Sequence, residues 1–249
     1  MRPSAQGNDM KDSDSSVAIV MGRGGSKRIP RKNIRPFCGK PMICWPVEHA
    51  CTSKLFREVI ISTDDIAIAE TARSSGASLH ALRPATISDD HATTADVLRY
   101  ELEEYVRREG SLPEYCCCLY GTSALVTPQL LTEALDMLRR TKTQLVMAVI
   151  RYGHPIERAL LFDAAGLVHY RQPEFVSVRT QDIPPSYHDA GLFYFFDARA
   201  FMKAGGTSFV PLAKTAVEMS GHDAVDIDTE EDWEIAEVLA ARQGLVTTV

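Results

Sequence analysis

The sequence contains no apolar run of the roughly 18 residues that a membrane span requires. Residues 1–16 are polar and irregular and lack the apolar core of a secretory signal, so we expect a disordered tail there. Positive charge is also scarce, because 27 Lys and Arg stand against 33 Asp and Glu, a net charge of −6. The composition therefore argues against a membrane-spanning protein and against a nucleic-acid-binding protein.

The six cysteines lack the paired spacing of a zinc site. Three of them occupy residues 116–118 in a row on an apolar segment, which is typical of a buried strand. We therefore expect structural packing rather than metal binding, and a reducing, cytoplasmic location.

The two common phosphate-binding signatures are absent, since neither Gly-x-x-x-x-Gly-Lys-Ser/Thr nor Gly-x-Gly-x-x-Gly occurs after the first apolar run. Residues 17–20 lead instead into a loop that reads RGGSKRIPRK over residues 23–32. Glycines let a backbone fold tightly around phosphate oxygens, and the five cations in this loop neutralise their charge. The loop predicts a nucleotide-binding site, and the simpler alternative is a solvated basic loop.

Apolar strand-like runs alternate with helical patterns along the chain, which predicts an α/β fold. The predicted strands cover residues 17–20, 59–62, 77–82, 115–119, 144–150, 192–196 and 224–227. The predicted helices cover residues 41–51, 66–74, 94–108, 128–140 and 230–242. We expect a Rossmann-like, mostly parallel sheet with helices on both faces. Residues 17–249 form one domain on this interpretation, and the segment 151–186 interrupts the alternation as an inserted lobe.

Ligands of open parallel sheets bind beyond the carboxyl ends of the strands. The glycine-rich loop, residues 63–65, the loop 83–94, residues 120–124 and the pair Asp226 and Asp228 all follow predicted strands. We therefore expect these five segments to converge on one edge of the sheet.

Asp226 and Asp228 stand two residues apart on a predicted strand, so both carboxylates would point to one face. Mg²⁺ is commonly held by one or two carboxylates together with phosphate oxygens. The pair therefore predicts a magnesium site beside the phosphate loop. The alternative is that these aspartates only cap the last helix.

Several motifs together carry a family resemblance. They are RGGSK at 23–27, PRKNI at 30–34, FCGKPMI at 37–43, DAGLFY at 189–194 and DIDTEEDW at 226–233. In combination they resemble the sialic-acid-type cytidylyltransferases, and within that family the branch that acts on pseudaminic acid. The likeness extends from residue 17 to residue 240 and is weakest over the inserted lobe.

The resemblance implies a nucleotide-diphospho-sugar transferase-like fold and Mg²⁺-dependent transfer of CMP from CTP to a nonulosonic acid, with release of pyrophosphate. CTP would be bound by Arg23, Gly24, Gly25, Ser26, Lys27, Lys32, Asn33, Arg83, Ala92 and Thr94. The sugar would be bound by Thr122, Asp189 and Tyr194. The catalytic residues would be Arg23, Lys32, Asp226 and Asp228, and the last two would hold the metal. A homodimer formed through a small dimerisation lobe at residues 151–186 is also implied.

The sequence departs from the family pattern at four places. Tyr120 and Gly121 replace a Gln-Pro pair, Val126 replaces an arginine, and His188 stands where an arginine holds the sugar carboxylate. Met21-Gly22 stands where Pro-Ala is usual. A less polar pocket around Tyr120 favours a deoxygenated, N-acylated sugar such as pseudaminic acid.

The residues leave other interpretations open. The sugar could be legionaminic acid, N-acetylneuraminic acid or an octulosonate, and the chain could be a non-catalytic nucleotide-binding regulator. For Arg83 the alternative is a surface ion pair with Asp89 or Asp90. The general base is a metal-bound hydroxide or one of the aspartates, and one or two metal ions are compatible with the motifs.

Overall fold

A six-stranded sheet forms the centre of the fold in the computed structural model, which describes residues 16–89 and 91–245. The strands are β1 (Ser16–Met21), β4 (Glu58–Ser62), β5 (Tyr115–Tyr120), β6 (Leu145–Arg151), β9 (Tyr187–Asp197) and β10 (Lys214–Met219). Their order in the sheet is β10-β6-β9-β5-β1-β4. Only β9 runs antiparallel to its neighbours β5 and β6 in this sheet, so the predicted mostly parallel α/β fold is confirmed.

Helices cover both faces of this sheet. They are α1 (Cys44–Ser53), α2 (Ile66–Ser74), α3 (Thr94–Glu109), α4 (Pro128–Thr141), α5 (Ala198–Lys203) and α6 (Glu230–Arg242). Successive side chains of β1 alternate between the faces, because Ala18 and Val20 pack in one apolar cluster with α1, α2 and α4. Val17 and Ile19 pack in a second cluster with α3 and α5. Period-two alternation within an apolar strand thus places a core on each side.

Short polar residues set the start of most helices. Thr93 caps α3 and Thr229 caps α6, each through a capping box that includes the acidic residue three positions later. Asp65 caps α2 by accepting hydrogen bonds from the backbone N–H groups of Ala67 and Ile68. The α2 helix, Ile66–Ser74, therefore begins at the first residue of the predicted helix 66–74.

The first helix begins later than predicted. Pro41 belongs to β3 (Lys40–Pro41), which pairs with β2 (Pro36–Phe37) in a short antiparallel hairpin. Two backbone hydrogen bonds, from the N–H of Met42 to the carbonyl of Arg35 and from the N–H of Ile43 to the carbonyl of Asn33, hold this segment against the preceding chain before α1 begins. The predicted helix start at residue 41 was wrong because proline is tolerated both in a first helical turn and at the end of a strand.

Two predicted strands are also corrected. The segment 77–82 is reduced to a single bridge between Ile60 and Ser78. Residues 224–227 form no strand. The strand that completes the six-stranded sheet is instead β10, which was not predicted and which pairs with β6. Ala224 and Ile227 are nevertheless buried, which explains their apolar pattern, whereas only Val217 is buried in β10. An edge strand with one buried residue leaves little periodic signal in the sequence.

The segment 151–186 lies outside the central sheet. It contains a hairpin of β7 (Leu160–Phe162) and β8 (Val168–Tyr170) and three short 3₁₀ turns. The Arg158 guanidinium donates to the carbonyls of Phe175 and Val178 and to the Thr180 hydroxyl, which ties the turns together. The hairpin side chains are mostly exposed, with Phe162 at 77%.

Cys116, Cys117 and Cys118 are fully buried in β5, as predicted. Burial raises the pKa of all three thiols. All six cysteines are free, and no group of three or more potential metal ligands gathers in residues 16–89 and 91–245. Packing is therefore the role that the structure supports for the central cysteines.

The predicted tail of residues 1–16 falls almost wholly outside the described residues, since only Ser16 is described and it begins β1. Across the described part of the chain, no helix has both the length and the apolar character that a bilayer span demands.

Candidate active site

A cavity of about 310 Å³ opens beyond the carboxyl ends of β1 and β5. This volume lies within the range of roughly 300–1,000 Å³ that small-molecule sites occupy. The predicted residues in its lining are Arg23, Ser26, Lys27, Lys32, Asn33, Arg83, Ala92, Thr94, Thr122 and Asp228. The structure thus brings the glycine-rich loop, the loop 83–94 and the end of β5 to one edge of the sheet.

Side-chain contacts hold the glycine-rich loop in place. Asn33, which is buried, donates its Nδ2 hydrogen to the carbonyl of Arg23 at 2.9 Å. The backbone N–H of Gly24 donates to Asp64 Oδ1 at 3.0 Å. Gly24 and Gly25 are outside the lining of the cavity, so the cationic and hydroxyl side chains face it rather than these two glycines.

Arg83 is a buried arginine at the wall of this cavity, with 6% of its surface exposed. Its Nε donates to Ser88 Oγ at 3.1 Å. Burial lowers the pKa of the guanidinium, and the negative charges of Asp64 and Glu101 oppose that change. The alternative of a surface ion pair with Asp89 is therefore wrong, while Asp90 lies outside the described residues.

Ala92 and Thr94 stand in the same cavity as Arg83. Their loop is ordered by Asp89, whose Oδ1 accepts hydrogen bonds from the backbone N–H groups of His91 and Ala92, both at 2.9 Å. The loop that borders the cavity beside Arg83 is therefore held by its own hydrogen bonds.

A second cavity adjoins the first. It is lined by Lys32, Tyr120, Thr122, Asp189, Gly191, Tyr194, Asp226 and Asp228. Lys32, Tyr120, Thr122 and Asp228 line both cavities. The boundary between the two spaces is therefore formed by one cation, one carboxylate and two hydroxyl groups.

Lys32 lies at this boundary and is held on two sides. Its ammonium group donates to the carbonyl of Ile227 and lies 3.4 Å from Asp228 Oδ1. The side chain is only 18% exposed. Lys32 is therefore a positioned cation rather than a mobile surface lysine.

Asp226 and Asp228 share the second cavity without lying on a strand. Asp232 and Thr229 perform the helix capping, and Asp232 also accepts the backbone N–H of Asp228 at 3.1 Å. The two aspartates are thus not helix caps. Burial raises the pKa of Asp226, and the charge of Asp228 raises it further.

The chemistry of these two carboxylates fits a magnesium site in which substrate phosphates supply the remaining ligands. No third His, Cys, Asp or Glu completes a ligand cluster among residues 16–89 and 91–245. Mg²⁺ prefers oxygen ligands and is usually held by one or two carboxylates, with phosphate oxygens and water completing its shell. A cation bound here would therefore depend on phosphate groups in the adjoining cavity.

An irregularity in β9 places Asp189 at the second cavity. The pairing with β6 shifts between Tyr194 and Asp189, and Gly191 adopts a left-handed φ of +65° within that interval. Asp189 accepts the Gly191 N–H at 2.9 Å and also the Tyr194 hydroxyl. The predicted sugar-binding pair Asp189 and Tyr194 thus forms one hydrogen-bonded unit.

Tyr120 lines both cavities. The sequence marked it only as a departure from the family pattern and not as a site residue. Its hydroxyl shares a hydrogen bond of 2.8 Å with Thr94 Oγ1, and its ring meets the Tyr194 ring edge-on with centroids 6.1 Å apart. It links a predicted CTP-binding residue to a predicted sugar-binding residue. No spacing rule in the sequence predicts this contact.

His188, which replaces the expected arginine, does not line either cavity. Its Nδ1 donates to the carbonyl of Asp189 at 2.9 Å, and its ring packs against Tyr152 with centroids 4.9 Å apart. His188 therefore supports the backbone at Asp189.

Arg28, which the motifs did not single out, lines the first cavity and pairs with Asp228 at 2.9 Å.

We predict that Gly191→Ala disturbs the second cavity. A Cβ at this position would lie 2.8 Å from Asp226 Cγ in a backbone conformation that favours glycine. The expected loss of folding free energy is about 1–3 kcal/mol, measured by thermal or denaturant unfolding. Gly153→Ala is the control, because open space surrounds Gly153. Equal stability of the two variants would show that the Gly191 constraint is absent.

Two solved structures share this architecture. CMP:2-keto-3-deoxy-manno-octonic acid synthetase complexed with CTP matches with a TM-score of 0.66 and 17% identity, over 92% of this chain and 99% of that one. The 4-diphosphocytidyl-2C-methyl-D-erythritol synthase of Anaerococcus prevotii matches with a TM-score of 0.61 and 14% identity, over 93% and 100% of the two chains. Identities this low establish the likeness of the folds alone.

Sequence comparison gives closer relatives. Pseudaminic acid cytidylyltransferase of Campylobacter jejuni subsp. jejuni serotype O:2 is 34% identical over 225 residues, which is 90% of this chain and 95% of that one. N-acylneuraminate cytidylyltransferase A of Danio rerio is 30% identical over 236 residues, 91% of this chain and 51% of that one. The sequence profile of the family described as Cytidylyltransferase matches residues 17–234. Because this profile spans most of the chain and the Campylobacter jejuni relative matches over nearly the whole of both proteins, the chain belongs to the cytidylyltransferase family.

Proposed function

We propose that the protein transfers CMP from CTP to the anomeric hydroxyl of a nine-carbon 2-keto sugar acid, pseudaminic acid, and releases pyrophosphate. The observation that carries the proposal is the meeting of two cavities at Lys32 and Asp228. One cavity is lined by the cations of the glycine-rich loop, and the other by carboxylates and a tyrosine. Transfer between two substrates needs such a junction, because the acceptor oxygen must approach the α-phosphorus in line.

In this proposal the first cavity binds CTP. Arg23, Ser26 and Lys27 bind the outer phosphates, since guanidinium, hydroxyl and ammonium groups all donate to phosphate oxygens. The base lies against Arg83 and the loop residues Ala92 and Thr94. Because Arg83 is buried and anchored by Ser88, it offers a donor of defined direction to the base.

Lys32 is the residue that we assign to the reacting phosphate. Negative charge grows on the α-phosphoryl oxygens and on the departing pyrophosphate, so a fixed cation stabilises the transition state. The carbonyl of Ile227 and the carboxylate of Asp228 position the Lys32 ammonium group at the cavity boundary.

Asp226 and Asp228 are proposed to hold Mg²⁺ together with phosphate oxygens. Bound there, the ion would supply positive charge that polarises the phosphoryl group. Burial is the main reason that the pKa of Asp226 is raised, and the charge of Asp228 adds to it. A bound cation would offset both effects.

The second cavity is proposed to bind the sugar acid through Thr122, Asp189 and Tyr194. Pseudaminic acid is preferred over legionaminic acid, N-acetylneuraminic acid or an octulosonate for two reasons. The Campylobacter jejuni relative is named for its action on pseudaminic acid, and its match covers 90% of this chain. The Tyr120 ring also presents aromatic surface to the cavity, which suits a deoxygenated sugar.

The lobe at residues 151–186 is proposed to pair with a second copy of the chain. Its hairpin exposes a row of large apolar side chains, with Phe162 at 77%, Leu167 at 61% and Leu160 at 54%. Several large apolar side chains exposed on one hairpin are typical of protein interfaces. A homodimer would cover them.

The activity is tested with CTP, Mg²⁺ and a panel of pseudaminic, legionaminic and N-acetylneuraminic acids, with pyrophosphate as the measured product. We expect pyrophosphate release only when a sugar acid is present, and fastest with pseudaminic acid. A faster reaction with another sugar would reassign the substrate. Binding of CTP without any pyrophosphate release would favour the non-catalytic regulator.

Lys32→Ala is expected to lower kcat by about 10²–10³-fold, the usual effect of removing one charge-stabilising donor. The affinity for CTP should change much less, because other cations bind the outer phosphates. Steady-state kinetics and CTP titration separate the two quantities. Lys203→Ala, at an exposed position in α5, is the matched control. A kcat near that of the control would refute the role of Lys32.

Phe162→Ser is expected to weaken the homodimer by removing the most exposed aromatic side chain of the hairpin. Light scattering of the unaltered protein should give twice the 27.5 kDa chain mass, and the variant should shift towards the single-chain mass at low concentration. Val210→Ser is the control, because Val210 is 81% exposed outside the lobe. A single-chain mass for the unaltered protein would exclude the dimer.

A further inference from the structure

Arg28 forms an ion pair with a residue of the proposed metal site. Its guanidinium lies 2.9 Å from Asp228 Oδ2, while the Lys32 ammonium lies 3.4 Å from the other oxygen, Oδ1. Both oxygens of Asp228 are therefore next to a protein cation. Arg28 itself belongs to the glycine-rich loop and lines the cavity that we assign to the nucleotide.

The two cations on Asp228 differ in how firmly they are held. Lys32 is 18% exposed and is also bound by the Ile227 carbonyl. Arg28 is 65% exposed, and Asp228 is 42% exposed. Ion pairs between exposed side chains contribute little to stability because water competes for both partners. Arg28 can therefore leave Asp228 at small cost, whereas Lys32 is fixed.

Negative charge around Asp228 explains why a second cation gathers there. Asp189, Asp226 and Asp228 line the second cavity together, and their negative charges repel one another. Arg28 also interacts favourably with Asp232. A divalent cation at Asp226 and Asp228 would relieve the same repulsion, so it would compete with Arg28 for the carboxylate.

The phosphate chemistry of the cavity provides Arg28 with an alternative partner. A guanidinium presents a planar fork of N–H donors that matches phosphate oxygens as well as carboxylate oxygens. Arg28 is on the same loop as Ser26 and Lys27, both of which line the cavity. A triphosphate in that cavity would lie within the range of the flexible arginine side chain.

We propose that Arg28 is an exchangeable cation of the triphosphate site, which moves from Asp228 to a phosphate group when nucleotide and divalent cation bind together. The proposal rests on the proposed function, because it assumes a nucleoside triphosphate in the first cavity. Its consequence is that metal and nucleotide help each other to bind. Metal alone has to compete with Arg28 for Asp228, and nucleotide alone has to draw Arg28 away from it, a coupling that is reciprocal by thermodynamic necessity.

The test is Arg28→Gln, which removes the charge and keeps much of the side-chain length. Mn²⁺ replaces Mg²⁺ as the probe, since the paramagnetic resonance signal of free Mn²⁺ reports binding without any turnover. In the absence of nucleotide, the variant should bind Mn²⁺ about three- to fivefold more tightly, the ratio expected from loss of one exposed ion pair. With a chelator present, its affinity for CTP measured by calorimetry should fall by about the same factor.

Arg57→Gln is the matched control. Arg57 is also exposed, at 54%, and also pairs with one carboxylate, that of Glu109 at 2.8 Å. Arg57 lies just before β4, at the amino end of that strand, and lines neither cavity. Its substitution by Gln therefore changes the net charge by the same amount as Arg28→Gln without altering the site. Both affinities should remain at the values of the unaltered protein, and the thermal midpoints of both variants should show that they fold.

An unchanged Mn²⁺ affinity in Arg28→Gln would overturn the competition for Asp228. Tighter Mn²⁺ binding with an unchanged CTP affinity would overturn the exchange to phosphate. Failure of the proposed function is recognised separately, because the unaltered protein would then release no pyrophosphate from CTP and a sugar acid. The Mn²⁺ titration contains no nucleotide and still decides whether Arg28 and the metal compete.

Discussion

The contact of Lys32 with the segment 227–228 is the constraint on which the site depends. This lysine follows the glycine-rich loop near the start of the described chain, whereas Ile227 and Asp228 precede the last helix. The contact joins segments almost two hundred residues apart, so the glycine-rich loop and the acidic segment become two sides of one boundary. A cation with a carbonyl and a carboxylate as partners tolerates its partial burial, because both partners offset the loss of water.

The antiparallel strand is the second determinant of the site. If β9 ran in the direction of its neighbours, its first residues would lie at the amino ends of those strands, far from the glycine-rich loop. Because it runs the other way, Asp189 reaches the carboxyl edge. The left-handed turn at Gly191 then makes room for the Asp226 carboxylate beside the strand. The second cavity thus depends on a reversal of one strand and on the absence of one Cβ.

The sequence predicted best those elements whose start is marked by a local signal, such as a capping residue or an early proline. Helices α2, α3, α4 and α6 were located well because a capping residue or an early proline precedes each periodic apolar pattern. The start of α1 was misplaced because Ile43, at its N-cap, offers no side-chain acceptor. The strand β10 was missed because an edge position buries only Val217, and residues 224–227 were mistaken for a strand because burial in a loop produces the same apolar signal.

The sequence by itself determined the glycine-rich, cationic loop, the α/β alternation and the set of polar residues at the sheet edge, since these follow from local composition and period. The tertiary structure decided which of these residues share a space. It placed Tyr120 between Thr94 and Tyr194, buried Arg83 instead of leaving it on the surface, and paired Arg28 with Asp228. Such contacts join residues remote in sequence, and no local pattern specifies them. They arise only when packing of the two faces of the sheet sets the distances between its loops.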